Sequence, residues 1–288
     1  MEMLYKFSGV SVTVILPDEN MNDDEGRLAP FRVDHVTDTH RFHFRKVSAL
    51  DPPVGSLMDT PPGMHIYRDG EREIRYLRSV LDTWENAYMR VDSQGREHEV
   101  QALQTQFKGA LSAKLVLNCL GAEHLIARAG GFVFHCSYVE RNGKAILFTA
   151  PSGTGKSTQA DLWQEYRDAE IINGDRAVIR LVDGKLMAEG IPFAGSSQYC
   201  VNKSLPIEAI VYLSQAKETS IRKLSGYEAF SRIWEGVSVN TWDKTDMEIV
   251  SGVVQAVARQ IPVYHMPCTP DESAVIALEN ALRKLEHP

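Results

Sequence analysis

Hydrophobic and polar positions alternate along the first hundred residues, and this alternation predicts β-strands. Apolar residues occupy every second position in residues 10–14 and again in residues 42–44. Turn signals such as Asp69-Gly70 punctuate the segment, and we expect residues 20–26 and 51–63 to form solvated loops. The pattern therefore predicts a β-rich N-terminal domain over residues 1–105.

The pattern changes in the second half, where helical spacing and short apolar runs follow one another. Apolar positions at helical spacing predict a helix over residues 111–128. The further elements that we predict are strands at 131–138, 145–149, 170–173, 177–182 and 209–213 and helices at 156–166 and 271–285. Strands mixed with helices predict an α/β domain over residues 106–288.

Composition narrows the class of protein. The 288 residues are 43% hydrophobic and 24% charged, which is typical of a globular chain. The formal net charge is -7, so we expect no broad grip on nucleic acid or on an anionic membrane. We therefore expect an anionic ligand to be bound by groups in one local site and not by the overall charge of the protein.

Cysteine usage and the N-terminus carry two further expectations. The four cysteines are widely separated and form no Cys-x-x-Cys pair, which favours reduced thiols over a zinc site or a disulfide scaffold. Residues 1–10 do not contain a basic segment followed by an apolar run, and the sequence lacks a stretch of roughly 18 apolar residues. We therefore expect a cytoplasmic protein.

A glycine-rich segment carries the chemistry. The apolar residues 145–149 are followed by Ala-Pro-Ser-Gly-Thr-Gly-Lys-Ser at 150–157, which fits the P-loop pattern with Ala150 in the first glycine position. Glycines allow backbone amides to converge on phosphate oxygens, and the following helix adds its positive end. Lys156 is suited to the β- and γ-phosphates of ATP and Ser157 to Mg²⁺. The predicted nucleotide-binding residues are Ser152, Gly153, Thr154, Gly155, Lys156, Ser157 and Thr158.

An acidic partner is expected for the metal and for the attacking hydroxyl. Asp175 is the best candidate, because it follows the apolar strand predicted at 170–173, and open α/β sheets place ligand-binding groups at such strand ends. The Asn-Gly-Asp sequence is also a turn signal, so a solvated turn aspartate is the alternative. Arg176 is either a phosphate ligand or an ordinary ion-paired side chain.

These segments resemble the HPr kinase/phosphorylase family and its smaller relatives, bacterial serine kinases that share a nucleotide-binding core with phosphoenolpyruvate carboxykinase. The likeness runs from about Gly130 to the end of the chain. Residues 134–138, Phe-His-Cys-Ser-Tyr, are similar to the family's histidine-bearing strand, and residues 152–157 are similar to its P-loop. The resemblance implies a P-loop core of this type and brings His135 into the site as a catalytic residue beside Lys156 and Asp175. A lone histidine on an apolar strand is otherwise typical of a satisfied core residue, and that alternative stays open for His135.

The chain departs from the family at two points. Asp175 matches the second member of the family's Asp-Asp pair, while Gly174 stands in place of the first. Asp175 must then serve both the metal and the proton, unless another residue such as Glu189 is recruited. Residues 189–197 are similar to the family's later glycine-containing loop near the acceptor, but its basic residue is missing, so phosphorylase activity stays open.

We therefore hypothesise that the chain is a Mg²⁺-dependent kinase that transfers the γ-phosphoryl group of ATP to a hydroxyl. The acceptor that we expect is a serine of a peptide or small protein. Two alternatives stay open, namely an ATP-binding sensor without phosphotransfer and a kinase of a small metabolite. Signals for a serine hydrolase or a zinc hydrolase are absent from the sequence. Oligomerisation is left open.

Two other features have structural interpretations. His43 shares one strand face with Arg41 and Arg45, which we interpret as the solvent side of a half-buried strand, with an acidic-peptide surface as the alternative. The tryptophans at positions 163, 234 and 242 are expected to pack in a core, since aromatics at helical spacing usually do so.

Overall fold

The computed structural model describes residues 1–17, 27–78, 85–92, 95–103, 120–195, 197 and 199–286. The chain forms two compact units, Met1–Leu125 and Ile126–Pro288. The division lies within a helix, α1 (Ala122–Arg128), whereas the sequence pattern places it between residues 105 and 106. The first part of the predicted helix at 111–128, up to residue 119, lies outside the described residues.

The described residues of the first unit form an eight-stranded sheet. Its strands are β1 (Glu2–Phe7), β2 (Val10–Ile15), β3 (His40–Val47), β4 (Ser56–Asp59), β5 (Met64–Asp69), β6 (Arg72–Arg78), β7 (Glu85–Asp92) and β8 (Glu97–Leu103). They lie in the order β1-β2-β3-β8-β7-β6-β5-β4, with β3 parallel to both of its neighbours. A short 3-10 helix (Ala29–Phe31) buries Phe31. Strand β4 lies inside the stretch 51–63, so the prediction of a loop there was wrong in part.

Strand β3 is half-buried, as its alternating pattern predicts. Phe42 and Phe44 are buried on one face. On the other face, His43 lies 2.6 Å from Glu97, and Arg45 donates to Glu99 at 2.5 Å. These basic side chains therefore lie on the solvent side of the strand, each with an acidic partner on β8.

The second unit is a mixed α/β structure. Its strands are β9 (Gly131–Arg141), β10 (Lys144–Thr149), β11 (Glu170–Asn173), β12 (Arg176–Val182), β13 (Lys185–Glu189), β14 (Ser204–Gln215), β15 (Arg222–Leu224), β16 (Val237–Ser238) and β17 (Val263–Cys268). Its other helices are α2 (Lys156–Arg167), α3 (Gly226–Trp234), α4 (Lys244–Gln260) and α5 (Glu272–Glu286). All five strands predicted here are present, together with the two helices predicted at 156–166 and 271–285.

Five strands of this unit form a closed ring. Strand β9 pairs with β10 and β12, β13 links β12 to β14, and β14 pairs with β10. Helices α2 and α5 cover one side of the sheet, where the fully buried Trp163 packs near Phe148. Helix α4 covers the other side through Val250, Val254 and Val257. The two faces of the central strands are therefore both buried.

The core of this unit should dominate its stability. Leu213 on β14 is 1% exposed, whereas Leu181 on β12 is 50% exposed. We expect Leu213→Ala to lower the free energy of unfolding by about 2–5 kcal/mol because it leaves a cavity, and Leu181→Ala to change it by less than about 0.5 kcal/mol. Urea denaturation followed by tryptophan fluorescence measures both, and equal losses would contradict the assigned core.

Candidate functional site

Four strands of the second unit end at the same edge of the sheet. Strands β10 and β11 both run antiparallel to β9, and therefore run in the same direction as each other. Strand β14 is parallel to β10, and β17 is parallel to β14. The segments after these strands thus meet at one edge, the place where α/β sheets usually bind ligands.

The glycine-rich loop, residues 150–155, connects β10 to α2 at this edge. Gly153 and Gly155 have φ values of 78° and 118°, which side chains with a Cβ rarely adopt. Gly155 is the N-cap of α2 and provides no side-chain cap, and the first turn of the helix contains no acidic residue. The amides and the helix dipole therefore present a positive end that suits an anion.

Lys156 lies at the start of α2 and is only 8% exposed. Its Nζ donates to the carbonyl oxygen of Ala150 at 3.2 Å. Burial lowers the pKa of this ammonium group, and the negative charge of Asp175 acts in the opposite direction. A bound polyanion would favour the charged form of Lys156 in the same way.

Asp175 follows β11 and faces basic groups on both carboxylate oxygens. Its Oδ1 lies 3.4 Å from His135 Nε2, and its Oδ2 lies 3.3 Å from Arg176 Nε. Burial alone would raise the pKa of this carboxyl. The 3.4 Å contact with His135 and the charges of Arg176, His135 and Lys156 outweigh burial and hold the pKa below its usual value. Asp175 is thus a carboxylate at neutral pH.

His135 reaches this cluster from the middle of β9. It is the one residue between Gly131 and Val139 that is not buried. Its backbone N–H donates to Gly236 at 2.7 Å, and its carbonyl accepts from the Thr149 hydroxyl at 3.0 Å. The first bond fixes β9 to the segment before β16, and the second fixes it to the end of β10, where the glycine-rich loop begins.

Asn173 holds the turn that carries Asp175. Its fully buried Oδ1 accepts from the backbone N–H groups of Asp175 and Arg176 at 3.0 and 2.9 Å. Its Nδ2 donates to the carbonyls of Ile191 and Phe193 at 3.2 and 2.9 Å. One amide side chain therefore joins the end of β11 to the loop that follows β13. Asn173 was not among the residues predicted for the site, although its Asn-Gly-Asp context is a signal for such side-chain to backbone bonds.

Gly174 approaches the same loop closely. A Cβ at this position would lie 2.2 Å from Ser197 Oγ and 2.5 Å from Ser197 Cβ. The Ser197 hydroxyl also accepts from the backbone N–H of Tyr199 at 3.1 Å. Ser197 therefore occupies the space where a side chain at position 174 would begin.

The two side chains that the sequence left undecided have structural partners. Arg180 binds Glu189 through two contacts, at 2.8 and 3.1 Å, and Glu189 does not line the cavity beside Asp175. Glu189 is therefore not placed to act beside Asp175 on a ligand in that cavity. Arg176 is ion-paired with Asp175, donates to Ser238 at 2.8 Å and lies over the ring of Phe193.

A cavity of about 940 Å³ lies over these groups. Most of the residues predicted for the site line it, namely His135, Ser152, Gly153, Gly155, Lys156, Ser157, Thr158 and Asp175. Thr154 instead lines a second cavity on the other side of the loop. Ser197 and Tyr199 also line the first cavity, and the sequence analysis did not select Tyr199.

Comparisons with known proteins show the family. Residues 111–270, more than half of the chain, match the sequence model of a family described as SynChlorMet cassette protein ScmC. The chain belongs to this ScmC family, which is not the family that its motifs resemble. No curated protein matches the chain.

Solved structures of other proteins are similar to this chain, and one of them shows the level of the similarity. It is the Hpr(Ser) kinase/phosphatase from Coxiella burnetii, with 12% sequence identity over 54% of this chain and 93% of that chain. Its TM-score is 0.34, which is too low to carry an argument about fold or function. In the part of the chain that the structure describes, every helix is too short or too polar to cross a membrane.

The Asn173 side chain should be needed for both stability and site geometry. We expect Asn173→Ala to lower the free energy of unfolding by about 2–4 kcal/mol, because the part-buried N–H groups of Asp175 and Arg176 and the carbonyls of Ile191 and Phe193 each lose the hydrogen bond to this side chain. Asn280→Ala on the exposed side of α5 is the control and should change it by less than about 0.5 kcal/mol. Urea denaturation of the two variants tests this, and a neutral Asn173→Ala would contradict the role of this residue.

The contact between Gly174 and Ser197 predicts a coupled pair. Gly174→Asp should destabilise the protein by about 1–3 kcal/mol, because its Cβ overlaps the Ser197 side chain. Adding Ser197→Gly should recover most of this loss, although Ser197→Gly alone removes the bond to Tyr199 and should be mildly destabilising. A double-mutant cycle of unfolding free energies measures the coupling, and additive effects would refute it.

Proposed function

We propose that the chain is a Mg²⁺-dependent ATP phosphotransferase that transfers the γ-phosphoryl group to a hydroxyl of a peptide or small protein. In this proposal residues 106–288 form a P-loop core of the HPr kinase and phosphoenolpyruvate carboxykinase type. The observation that carries it is the common cavity, which the glycine-rich loop, Lys156, Asp175 and His135 all line. A phosphate-binding loop beside an ionised carboxylate is the arrangement that phosphoryl transfer requires.

The loop and α2 supply the phosphate-binding part. The residues from Ser152 to Thr158 would bind the phosphate oxygens, mainly through backbone amides at the uncapped start of α2. Lys156 would exchange its bond to the Ala150 carbonyl for the β- and γ-phosphates. The lysine is already buried beside the loop, so little side-chain ordering would be needed on binding.

The residues present fit a magnesium ion as well. A hydroxyl and an ionised carboxylate are oxygen ligands of the kind that Mg²⁺ prefers, and Ser157 and Asp175 supply them at one cavity. When bound, the ion would neutralise charge on the phosphates. The low pKa of Asp175 keeps the carboxylate available as a ligand over the neutral range.

Asp175 would also receive the proton of the acceptor hydroxyl. A carboxylate with a lowered pKa is a weak base, but a loose transition state leaves this proton in place until late in the transfer. His135, 3.4 Å from Asp175 Oδ1, would orient the carboxylate. Catalysis would therefore depend on positioning and charge neutralisation more than on base strength.

A sensor that binds ATP without transferring phosphate is the second candidate. The observation that favours it is the single carboxylate, since Ser197 fills the space next to Gly174 where a second acidic side chain would begin. A kinase of a small metabolite would use the same site with a different acceptor. The family is described as a cassette protein, so the products of neighbouring genes are the first acceptors to test.

The kinase proposal predicts different losses for two variants. Asp175→Asn should bind ATP but lose at least about 100-fold in turnover, since it removes the metal ligand and the proton acceptor. Lys156→Ala should mainly lose ATP affinity. Transfer of labelled phosphate from ATP, with Mg²⁺ and peptides encoded by the neighbouring genes, measures turnover, and calorimetry measures binding.

Asp183→Asn is the matched control. Asp183 is exposed, lies in the turn after β12 with φ of 48°, and asparagine tolerates that conformation well. This variant should keep full activity and full binding. A wild-type protein that binds ATP and phosphorylates nothing would favour the sensor, whereas a wild-type protein that binds no ATP would reject both functions.

A further inference from the structure

A second cavity, of about 330 Å³, lies on the opposite side of the glycine-rich loop from Asp175. Gly153, Gly155 and Thr158 line both cavities, so the loop and the start of α2 form their common wall. The remaining walls of the second cavity come from the ends of β14 and β17, through Gln215, Ala216, Cys268, Thr269 and Pro270, and from Gln159 on α2.

The order of the strands explains this arrangement. Strand β10 lies between β9 and β14, and β17 follows β14. His135 and Asp175 come from β9 and from the end of β11, on one side of the loop. The second cavity is built by β14 and β17, on the other side. A linear phosphate chain on the loop therefore has one end toward Asp175 and the other end toward the second cavity.

One polar group in this second cavity has no hydrogen-bond partner among the residues that the structure describes. Gln159 is 2% exposed, and its Oε1 is buried without a hydrogen bond. Its Nε2 makes only a weak 3.5 Å contact with Cys268 Sγ. Turning the amide over would leave its NH₂ group without a strong partner instead. Because an unsatisfied buried amide costs about 1–3 kcal/mol, its presence beside a cavity points to a ligand that completes its hydrogen bonds.

From these observations we propose that the second cavity is the nucleoside subsite, which takes the base and ribose of the nucleoside triphosphate. This inference rests on the proposed nucleotide-binding function. The amide of Gln159 hydrogen-bonds the nucleoside, and the Thr269 hydroxyl and the Gln215 amide supply further polar contacts. Ala216 and Pro270 provide the apolar surface. The γ-phosphate then lies on the Asp175 side.

The test compares ATP with inorganic tripolyphosphate, both with Mg²⁺, since tripolyphosphate has the phosphates without the nucleoside. Ala216→Trp fills the second cavity from an exposed position, and we expect ATP affinity to fall at least about tenfold while tripolyphosphate affinity stays within about twofold. Glu218→Trp, an exposed residue outside the lining, should change neither affinity. Calorimetric titration measures both ligands.

Gln159→Leu gives an independent readout. If the amide serves the nucleoside, this variant should bind ATP more weakly, keep its tripolyphosphate affinity and have an unchanged or higher melting temperature, because a buried unsatisfied group is removed. Unchanged ATP affinity in both Ala216→Trp and Gln159→Leu, or an equal loss for both ligands, would overturn the subsite. A wild-type protein that binds neither ligand would instead reject the proposed function.

Discussion

The site depends on strand β9, which connects two parts of the sheet. Its first half pairs with β12 and β16, and its second half pairs with β10 and β11. The strand is buried on both faces up to Val139, with His135 as the exception. The two sets of neighbours separate beside His135, and the gap between them gives the imidazole access to Asp175. A side chain at any other position between Gly131 and Val139 would instead be buried in the packed core.

The charge balance of the site follows from this geometry. Three basic groups, Lys156, His135 and Arg176, act on Asp175, so the carboxylate stays ionised although it is half-buried. The uncapped start of α2 adds further positive potential. Such a cluster is stable because each basic group has a protein partner, and it suits a polyanion that can compete for those partners. The positive groups around Asp175 therefore make this site suitable for an anion although the chain as a whole has a net negative charge.

The sequence predicts the elements that carry the chemistry better than those that support them. Strand β11 and helix α2 are marked by an apolar run and by the glycine-rich loop, and both lie where the pattern indicates. Helix α4 was not predicted, although its N-cap Asp243 and its valines at 250, 254 and 257 give a readable signal. Short strands such as β16 depend on pairing with β9, which local sequence does not encode.

The residues that sequence reasoning did not find are those that act through backbone groups. Asn173 binds four main-chain atoms, so its importance appears only when the loop after β13 is in place. The same loop brings Ser197 against Gly174, so the space beside this glycine is already filled by another side chain. A second carboxylate at position 174 would thus require a change at position 197 as well, and the packing of the site favours a single carboxylate.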